Sequence, residues 1–280
     1  MTHVRRLLHR TGTLPLGQRT FVMGIVNVTP DSFSDGGVHA QPEDAVAGAR
    51  RMAVEGVDIL DIGGESTRPG HVAVAADEEW ARVAPVLDGL AQSDDALPPV
   101  SIDTWKAMVA RRAVAAGASI VNDVWGFQRD PDIAHVAAET GAAAILMHNR
   151  EQADATIDIV EDILRFLDRS VRIAVAAGVA EDRIVLDPGV GFGKTPEQSV
   201  QTIAALGRLK ALGFPVLLGV SRKRFIAHLF EPPPSLLERG PGTVAANVYG
   251  ALHGADIVRV HDVAAHVQAL RVLDAIRRAA

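Results

Sequence analysis

Cysteine is absent from this chain of 280 residues, and its absence narrows the chemistry that the chain can perform. A protein without cysteine has no disulfide, no cysteine-ligated zinc, no iron–sulfur cluster and no thiol nucleophile. Because disulfides are rare in the reducing cytoplasm, this composition leads us to expect a cytoplasmic protein.

Aromatic residues are scarce, with eight Phe, three Trp and one Tyr in the whole chain. The core must therefore consist mainly of Val, Ile, Leu and Ala, which is typical of buried parallel strands under alanine-rich helices. The sequence also lacks an apolar run of the roughly 18 residues that a membrane span needs, so we expect no membrane partner.

An excess of basic residues is missing as well, since 28 Lys and Arg face 34 Asp and Glu and give a net charge of −6. Without a global basic field we expect no nucleic-acid partner. Residues 1–20 differ from the rest, because they carry four arginines and no acidic residue. We interpret them as an N-terminal arm, although a transit peptide has a similar composition.

Eight short apolar runs alternate with eight longer helical patterns along residues 21–280. Most of the runs are continuous rather than alternating, as expected of strands buried on both faces. The runs are residues 21–28, 57–62, 100–103, 119–122, 143–147, 184–187, 216–220 and 257–260. The helical patterns are residues 42–55, 77–90, 105–116, 131–139, 157–177, 196–212, 241–253 and 263–278.

This strict alternation predicts an α/β protein with a single (β/α)8 TIM barrel, in one domain from residue 21 to residue 280. The length of the chain agrees, since 280 residues give about 35 for each strand–helix unit. An open, doubly wound parallel sheet is the alternative.

Polar residues follow every predicted strand. In a barrel of this kind the C-terminal strand ends form one rim, where the active site lies. The residues in question are Asn27, Gly63 to Gly70, Asp103, Asn122 with Asp123, Met147 with His148, Asp187, Ser221 to Arg224, and Arg259 with His261 and Asp262.

The first two loops of that rim are long and rich in glycine. Phe33 lies in the middle of the first, which favours a lid that closes over a substrate. Thr67 and Arg68 lie in the second, where an arginine fork and a hydroxyl can bind an anion. The remaining possibility is that both are ordinary surface loops.

Asp103, Asn122 and Asp187 would converge in the barrel mouth. Two carboxylates and an amide suit a flat heterocycle with several N–H donors. Asp103 could instead cap the helix that follows it.

Basic residues at the same rim, in a chain that is acidic as a whole, indicate an anionic substrate. For Arg222 and Arg224 we favour a solvated helix start. The sequence has no close-spaced zinc motif, but a Mg²⁺ ion held by a few oxygens and substrate phosphates needs none.

Taken in order, these segments closely resemble dihydropteroate synthases, from about Phe21 to Val263. The matching stretches read VMGIVNVTPDSFSDGG, DIGGESTRPG, SIDT, IVND, LMH, LDPGVGFGKT, GVSRK and RVHDV. The resemblance implies a pterin-binding (β/α)8 barrel that acts as a transferase in folate biosynthesis. It would join 6-hydroxymethyl-7,8-dihydropterin diphosphate to 4-aminobenzoate with Mg²⁺, release pyrophosphate and be a target of sulfonamides. It also implies a homodimer.

The same resemblance assigns roles to individual residues. Asp103, Asn122, Asp187 and Lys223 would bind the pterin, with Met147 packing against it. Thr67, Arg68, Arg259 and His261 would hold the diphosphate, and Asn27 would ligate Mg²⁺. Phe33, Phe192 and Ser221 would form the 4-aminobenzoate pocket. Asp35, Lys223, Arg259 and His261 would be catalytic, with Asp35 stabilising a cation at the pterin methylene.

Two departures from the family pattern stand out. The loop after His148 is short, which argues against its acting as a second lid. Trp125 and Phe127 stand where small residues are common. Two other functions stay open: a methyltransferase with a folate donor, which would not need the diphosphate residues, and a non-catalytic homologue.

Overall fold

The structure of the protein, a computed structural model, describes residues 5–29, 41–65, 73–93 and 96–279. Within these ranges an antiparallel hairpin precedes a parallel sheet of eight strands that alternate with helices. From one end of the sheet to the other, its strands are Ile184–Asp187, Ala143–Met147, Ile120–Asp123, Val100–Asp103, Ile59–Gly63, Phe21–Asn27, Ile257–Val260 and Leu217–Leu218. A bridge from Leu186 to Val216 brings its two ends together, which confirms the predicted (β/α)8 barrel.

The strands are short and almost entirely buried. The hairpin consists of β1 (Arg5–His9) and β2 (Gly12–Leu16). The barrel consists of β3 (Phe21–Asn27), β4 (Ile59–Gly63), β5 (Val100–Asp103), β6 (Ile120–Asp123), β7 (Ala143–Met147), β8 (Ile184–Asp187), β9 (Leu217–Leu218) and β10 (Ile257–Val260).

The helices surround the barrel and cover the outer faces of the strands. They are α1 (Pro42–Glu55), α2 (Ala76–Ala91), α3 (Ala107–Ala115), α4 (Asp132–Thr140), α5 (Ile159–Ala176), α6 (Pro196–Ala204), α7 (Leu206–Lys210), α8 (Arg224–His228), α9 (Gly240–Leu252) and α10 (Val263–Ala279). None of them, in the part of the chain that the structure covers, is long and apolar enough to cross a membrane.

Local sequence signals explain where several helices begin and end. Thr195 and Gln198 form a reciprocal capping box at the start of α6. Asp158 caps α5 by accepting from two backbone N–H groups. Gly56 ends α1 with a φ of 93°, a conformation that favours glycine.

The sequence prediction departs from the structure mainly after β8. The predicted helix 196–212 is two helices, because the backbone of Ala205 leaves the helical conformation. The seventh barrel strand is shorter than residues 216–220. The short α8 that follows it is not among the eight predicted helical patterns, although a helix start was expected at Arg222 and Arg224.

Two aliphatic cores fill the molecule. One lies between the outer strand faces and the helices, and the other lies inside the barrel. Leu7, Leu14 and Leu16 of the hairpin belong to the inner core, beside residues at the beginning of the barrel strands such as Ile59 and Ile257. Residues 5–16 of the arm therefore close the end of the barrel opposite the predicted rim.

Candidate active site

Strand register brings the predicted pterin residues together in pairs at the C-terminal ends of the barrel strands. Gly63 pairs with Asp103, and Asp103 pairs with Asn122. Further around the barrel, Met147 pairs with Asp187. Because the strands are parallel, these residues all lie at the C-terminal ends, as the sequence predicts.

A buried ion-pair network fills the centre of this rim. Nε of Arg259 lies 2.6 Å from Oδ2 of Asp61, and its Nη2 lies 2.6 Å from Oδ2 of Asp103. Nδ2 of Asn122 donates to the same oxygen of Asp61 at 3.2 Å. Arg259 and Asn122 are thus oriented by one carboxylate, that of Asp61.

Sequence reasoning missed Asp61, although a signal was present. Asp61 is an acidic residue inside the otherwise apolar β4 and is fully buried. A charged residue in such a position is rare unless it is paired. The prediction rests on residues at the ends of the strands, and Asp61 lies within one.

The second carboxylate oxygens of this network have no hydrogen-bond partner among the described residues. Oδ1 of Asp61 and Oδ1 of Asp103 are buried and accept no hydrogen bond from any described residue. A buried acceptor without a donor costs free energy. Oδ1 of Asp103, at the rim, is therefore a ready acceptor for an N–H group of a ligand.

Burial and neighbouring charges shift the pKa values of the ionisable groups at this rim. Burial raises the pKa of Asp103, while the charge of Arg259 opposes the rise. Burial also raises the pKa of Asp187, opposed by Lys223 and by the N–H of Gly189. Burial alone would lower the pKa of Arg259, but the charges of Asp61 and Asp103 raise it by more. The guanidinium therefore stays charged.

Lys223 joins the pterin residues to the predicted arylamine wall. Its ammonium donates to the carbonyl of Val190 and lies 4.4 Å from the centre of the Phe192 ring. Burial lowers the pKa of Lys223 to about 8, against the charge of Asp187. Lysine and aromatic ring thus lie together, as their assigned roles require.

Ser221 and His261 are in direct contact, which places the predicted arylamine and diphosphate residues side by side. The Ser221 hydroxyl lies 2.8 Å from Nδ1 of His261, and the His261 backbone N–H donates to that hydroxyl at 3.2 Å. The residues predicted for the two substrates are therefore adjacent at this point of the rim.

Two lesser predictions are wrong in part. Arg222 is not a solvated residue at a helix start, because its guanidinium pairs with Asp262 at 2.6 Å. Arg224 does begin α8 and is exposed. Asp103 does not cap α3; that helix begins at Ala107, whose N–H donates to Asp130 at 2.8 Å.

Asn27 ends β3 at the same rim. A methyl group built on Gly63 would lie 3.8 Å from Oδ1 of Asn27 and 3.7 Å from Oδ2 of Asp103, so two oxygens border that space. Mg²⁺ prefers oxygen ligands and keeps several waters or phosphate oxygens. The donors fit such an ion. No cluster of three or more His, Asp or Glu that could hold a metal occurs in the described ranges.

Phe33, Asp35, Thr67 and Arg68 lie outside the described residues. The second loop is described only at its base, on either side of residues 66–72. There Glu65 accepts from the N–H of Val74, and Lys106 bridges Glu65 and Glu79 at 2.5 Å each. This buried triad, Glu65–Lys106–Glu79, joins the base of the second loop to α2 and α3.

Comparison with known proteins identifies the family of the chain. The model of the pterin binding enzyme family matches residues 23–261. A dihydropteroate synthase of Clostridium beijerinckii is 47% identical over 264 residues, covering 94% of this chain and 96% of the relative.

Solved structures are similar over the same extent. A Xanthomonas albilineans dihydropteroate synthase with 4-aminobenzoic acid has a TM-score of 0.90 and 47% identity, and the match covers 98% of this chain and 99% of the other. A structure of that species' enzyme with 7,8-dihydropteroate has a TM-score of 0.87 and 46% identity, with 97% and 98% covered. The chain belongs to the pterin binding enzyme family.

Proposed function

We propose that the barrel mouth joins 6-hydroxymethyl-7,8-dihydropterin diphosphate to 4-aminobenzoate by means of the residues described above. The product is 7,8-dihydropteroate and the by-product is pyrophosphate. The chain is a transferase of folate biosynthesis with dihydropteroate synthase activity. The observation that carries the pterin assignment is the unpartnered, buried Oδ1 of Asp103 beside Arg259.

The pterin ring would lie among Asp103, Asn122 and Asp187. Carboxylates accept hydrogen bonds from ring and amino N–H groups, and an amide can both donate and accept. Met147, buried at the end of β7, offers an apolar surface for a flat ring. Lys223 would donate to a pterin acceptor.

The diphosphate would lie toward Arg259 and His261, with Thr67 and Arg68 as further partners. Positive groups fixed around a leaving pyrophosphate stabilise the charge that develops as it departs. Because Arg259 is already held by Asp61 and Asp103, its orientation costs little when the substrate binds.

The reaction is best described as ionisation followed by capture. The bond between the pterin methylene carbon and the diphosphate oxygen breaks, and pyrophosphate leaves with the electron pair. The arylamine nitrogen then forms the new C–N bond with its lone pair and loses one proton to solvent. The electron-rich ring stabilises the cation, and Asp35 would add a negative charge beside it. The attacking amine is neutral, so no strong general base is needed.

The arylamine would lie against Phe192, with Ser221 and Phe33 completing its pocket. The ammonium of Lys223 over Phe192 keeps that ring at the pterin side of the cavity. The neighbouring Ser221 and His261 would let the incoming amine and the leaving diphosphate occupy adjoining positions.

Mg²⁺ would be held by Oδ1 of Asn27 together with substrate oxygens and water. When bound, the ion would neutralise charge on the diphosphate. Removal of divalent ions with a chelator should abolish turnover, and Mg²⁺ should restore it. Asn27→Ala should raise the Mg²⁺ concentration needed for half-maximal activity.

One experiment tests the assignment directly. The purified protein is incubated with dihydropterin diphosphate, 4-aminobenzoate and Mg²⁺, and dihydropteroate is detected by mass. We expect Asp103→Asn, which can offer only one acceptor oxygen, to raise the KM for the dihydropterin diphosphate. Absence of product with the unaltered protein at every Mg²⁺ concentration would refute the proposal.

A homodimer is the proposed assembly. Of the large apolar side chains that are exposed in the described ranges, most lie in or beside the last three helices: Leu229, Phe230, Leu237, Tyr249, Leu252, Val272 and Ile276. Exposed apolar residues concentrated in one region favour an interface. Ile276→Asp should lower the mass measured by light scattering after gel filtration. The cytoplasmic location and the lack of a nucleic-acid partner stay predictions.

A further inference from the structure

Lys194 carries a buried ammonium in the loop between β8 and α6, and the proposed mechanism does not use it. Its Nζ lies 2.7 Å from Nδ1 of His148, 2.7 Å from the carbonyl oxygen of Gly189 and 3.1 Å from that of Phe192. Burial lowers the pKa of Lys194, but three acceptors face its Nζ, and only an ammonium has the three N–H groups that donate to all of them. The lysine is only 8% exposed, so these contacts replace water.

Two of these acceptors are the ends of one tight turn, residues 189–192. The N–H of Phe192 donates to the carbonyl of Gly189 at 3.1 Å and closes the turn. The N–H of Gly189 donates to Oδ1 of Asp187 at 2.7 Å. The turn therefore connects a pterin carboxylate at one end with the Phe192 ring at the other.

A second lysine holds the same turn. Lys223 donates to the carbonyl of Val190 and lies over the Phe192 ring. The carbonyls of residues 189, 190 and 192 thus accept from two lysine side chains. Buried carbonyls that lose their donors are costly, so the turn depends on both lysines.

His148 anchors Lys194 to the helix layer. The ring is fully buried, and its Nε2 lies 3.2 Å from Asp162 of α5, which also pairs with Arg150 at 2.7 Å. Burial and then the charge of Lys194 lower the pKa of His148, so the ring is neutral. Because Nδ1 accepts from Lys194, the proton is assigned to Nε2, which donates to Asp162.

We propose that Lys194 is a positioning residue that fixes the turn 189–192, places the Phe192 ring as a wall of the arylamine pocket, and so sets the affinity for 4-aminobenzoate. Lys194 touches neither substrate in this assignment. It acts through the two carbonyls that it binds. The inference rests on the proposed role of Phe192.

The test is a double-variant cycle of Lys194→Met and Phe192→Ala, with KM and kcat measured for each substrate. Methionine keeps the length of the side chain but has no N–H group. We expect Lys194→Met to raise the KM for 4-aminobenzoate about tenfold. The KM for dihydropterin diphosphate and the kcat should change about threefold at most, because the chemistry at Arg259 and His261 is untouched.

The cycle separates positioning from general damage. If Lys194 acts through Phe192, the double variant has the KM of Phe192→Ala alone, since the ring is no longer there to be misplaced. Lys194→Gln, which keeps two N–H groups, should give an intermediate KM, and it carries the test if Lys194→Met does not fold. Lys210→Met, which removes a lysine paired with Asp256 outside the rim, is the matched control and should leave both KM values unchanged.

The outcomes distinguish the two proposals. A raised KM in Phe192→Ala, together with effects that multiply in the double variant, overturns the inference about Lys194 alone. An unchanged KM in Phe192→Ala overturns the assigned role of Phe192, and with it this inference. If Lys194→Met raises both KM values and lowers kcat by the same factor, the inference about Lys194 is also overturned.

Discussion

Nε of Arg259 lies 2.6 Å from Oδ2 of Asp61, and this pair joins β10 to β4 across the intervening strand β3. The guanidinium is therefore oriented by the protein before any diphosphate arrives. A guanidinium has five N–H groups, and the contacts with Asp61 and Asp103 use two of them. Asp61 thus belongs to the site through the residues that it holds.

Asp61→Asn should impair catalysis without removing a substrate contact. The change keeps an oxygen acceptor but removes the charge that orients Arg259 and Asn122. The loss of a charge-assisted hydrogen bond is worth about 2 kcal/mol, so kcat/KM for dihydropterin diphosphate should fall roughly thirtyfold. Asp58→Asn is the control, since Asp58 pairs with Arg19 outside the rim. Equal activity of the two variants would exclude the role given to Asp61.

The activity should fall on the alkaline side because of Lys223. Burial lowers the pKa of this lysine to about 8, so it loses its donor charge above that pH. We expect kcat/KM for dihydropterin diphosphate, which reports the free enzyme, to decline above pH 8. Unfolding does not explain such a decline: the unfolded lysine keeps its proton to higher pH, so this group's contribution to stability rises between the two pKa values. A flat profile to pH 10 contradicts the prediction.

The triad Glu65–Lys106–Glu79 should matter for stability far more than an exposed ion pair. Its three side chains are at most 9% exposed, and burial raises the pKa of Glu79 against the charge of Lys106. Lys106→Met removes the cation that bridges two buried carboxylates and should lower the free energy of unfolding by about 3–5 kcal/mol.

Urea denaturation measures that loss, and two variants serve as its controls. Adding Glu79→Gln to Lys106→Met should recover part of the stability, because one buried charge is gone. Arg112→Met removes the exposed pair with Asp77 and should cost less than about 1 kcal/mol. A Lys106→Met protein as stable as Arg112→Met would mean that the triad contributes nothing.

His148 should make the protein less stable in acid. Its pKa is lowered in the folded chain, so below about pH 6.5 the unfolded state binds a proton that the folded state does not. The free energy of unfolding should fall as the pH falls through that range, by up to about 1.4 kcal/mol per pH unit. In His148→Asn this contribution disappears. The pKa values of Asp103 and Asp123 are raised in the folded chain, so these two groups make it more stable as the pH falls. Because both groups are present in the unaltered protein and in His148→Asn, the difference between the two free energies of unfolding reports the histidine. If the free energies of unfolding of the two proteins change with pH in parallel, the prediction about His148 is refuted.

The alternation of apolar runs with helical patterns, and the glycines at the helix ends, were sufficient to predict the barrel. Continuous buried strands alternate with helices that end at glycines such as Gly56, and α1 has the predicted bounds, Pro42–Glu55. The errors of the prediction were local. The helix is interrupted at Ala205 without a proline or glycine to signal it, and α8 is only a short helix within a loop. Such features depend on packing against neighbours, which a single sequence does not contain.

The place of a predicted site residue in the fold could be predicted from the sequence where that residue ends a strand. Asp103 and Asn122 lie side by side because parallel register pairs them, and Asp187 ends its own strand beside Met147. Asp61 was not found, because it lies inside a strand, and the partner of Lys194 could not be found, because His148 is distant in the sequence. Contacts between residues far apart in the chain follow from the folded geometry alone.

The turn 189–192 also limits how this pocket can change in evolution. A methyl group on Gly189 would lie 1.9 Å from the carbonyl oxygen of His148, and one on Gly193 would lie 2.4 Å from that of Arg150. Both glycines have a positive φ, of 62° and 54°, which disfavours any side chain. Variants that escape a competitor of 4-aminobenzoate cannot arise by replacing these two residues without displacing the wall itself. Selection for resistance must therefore act on other parts of the rim.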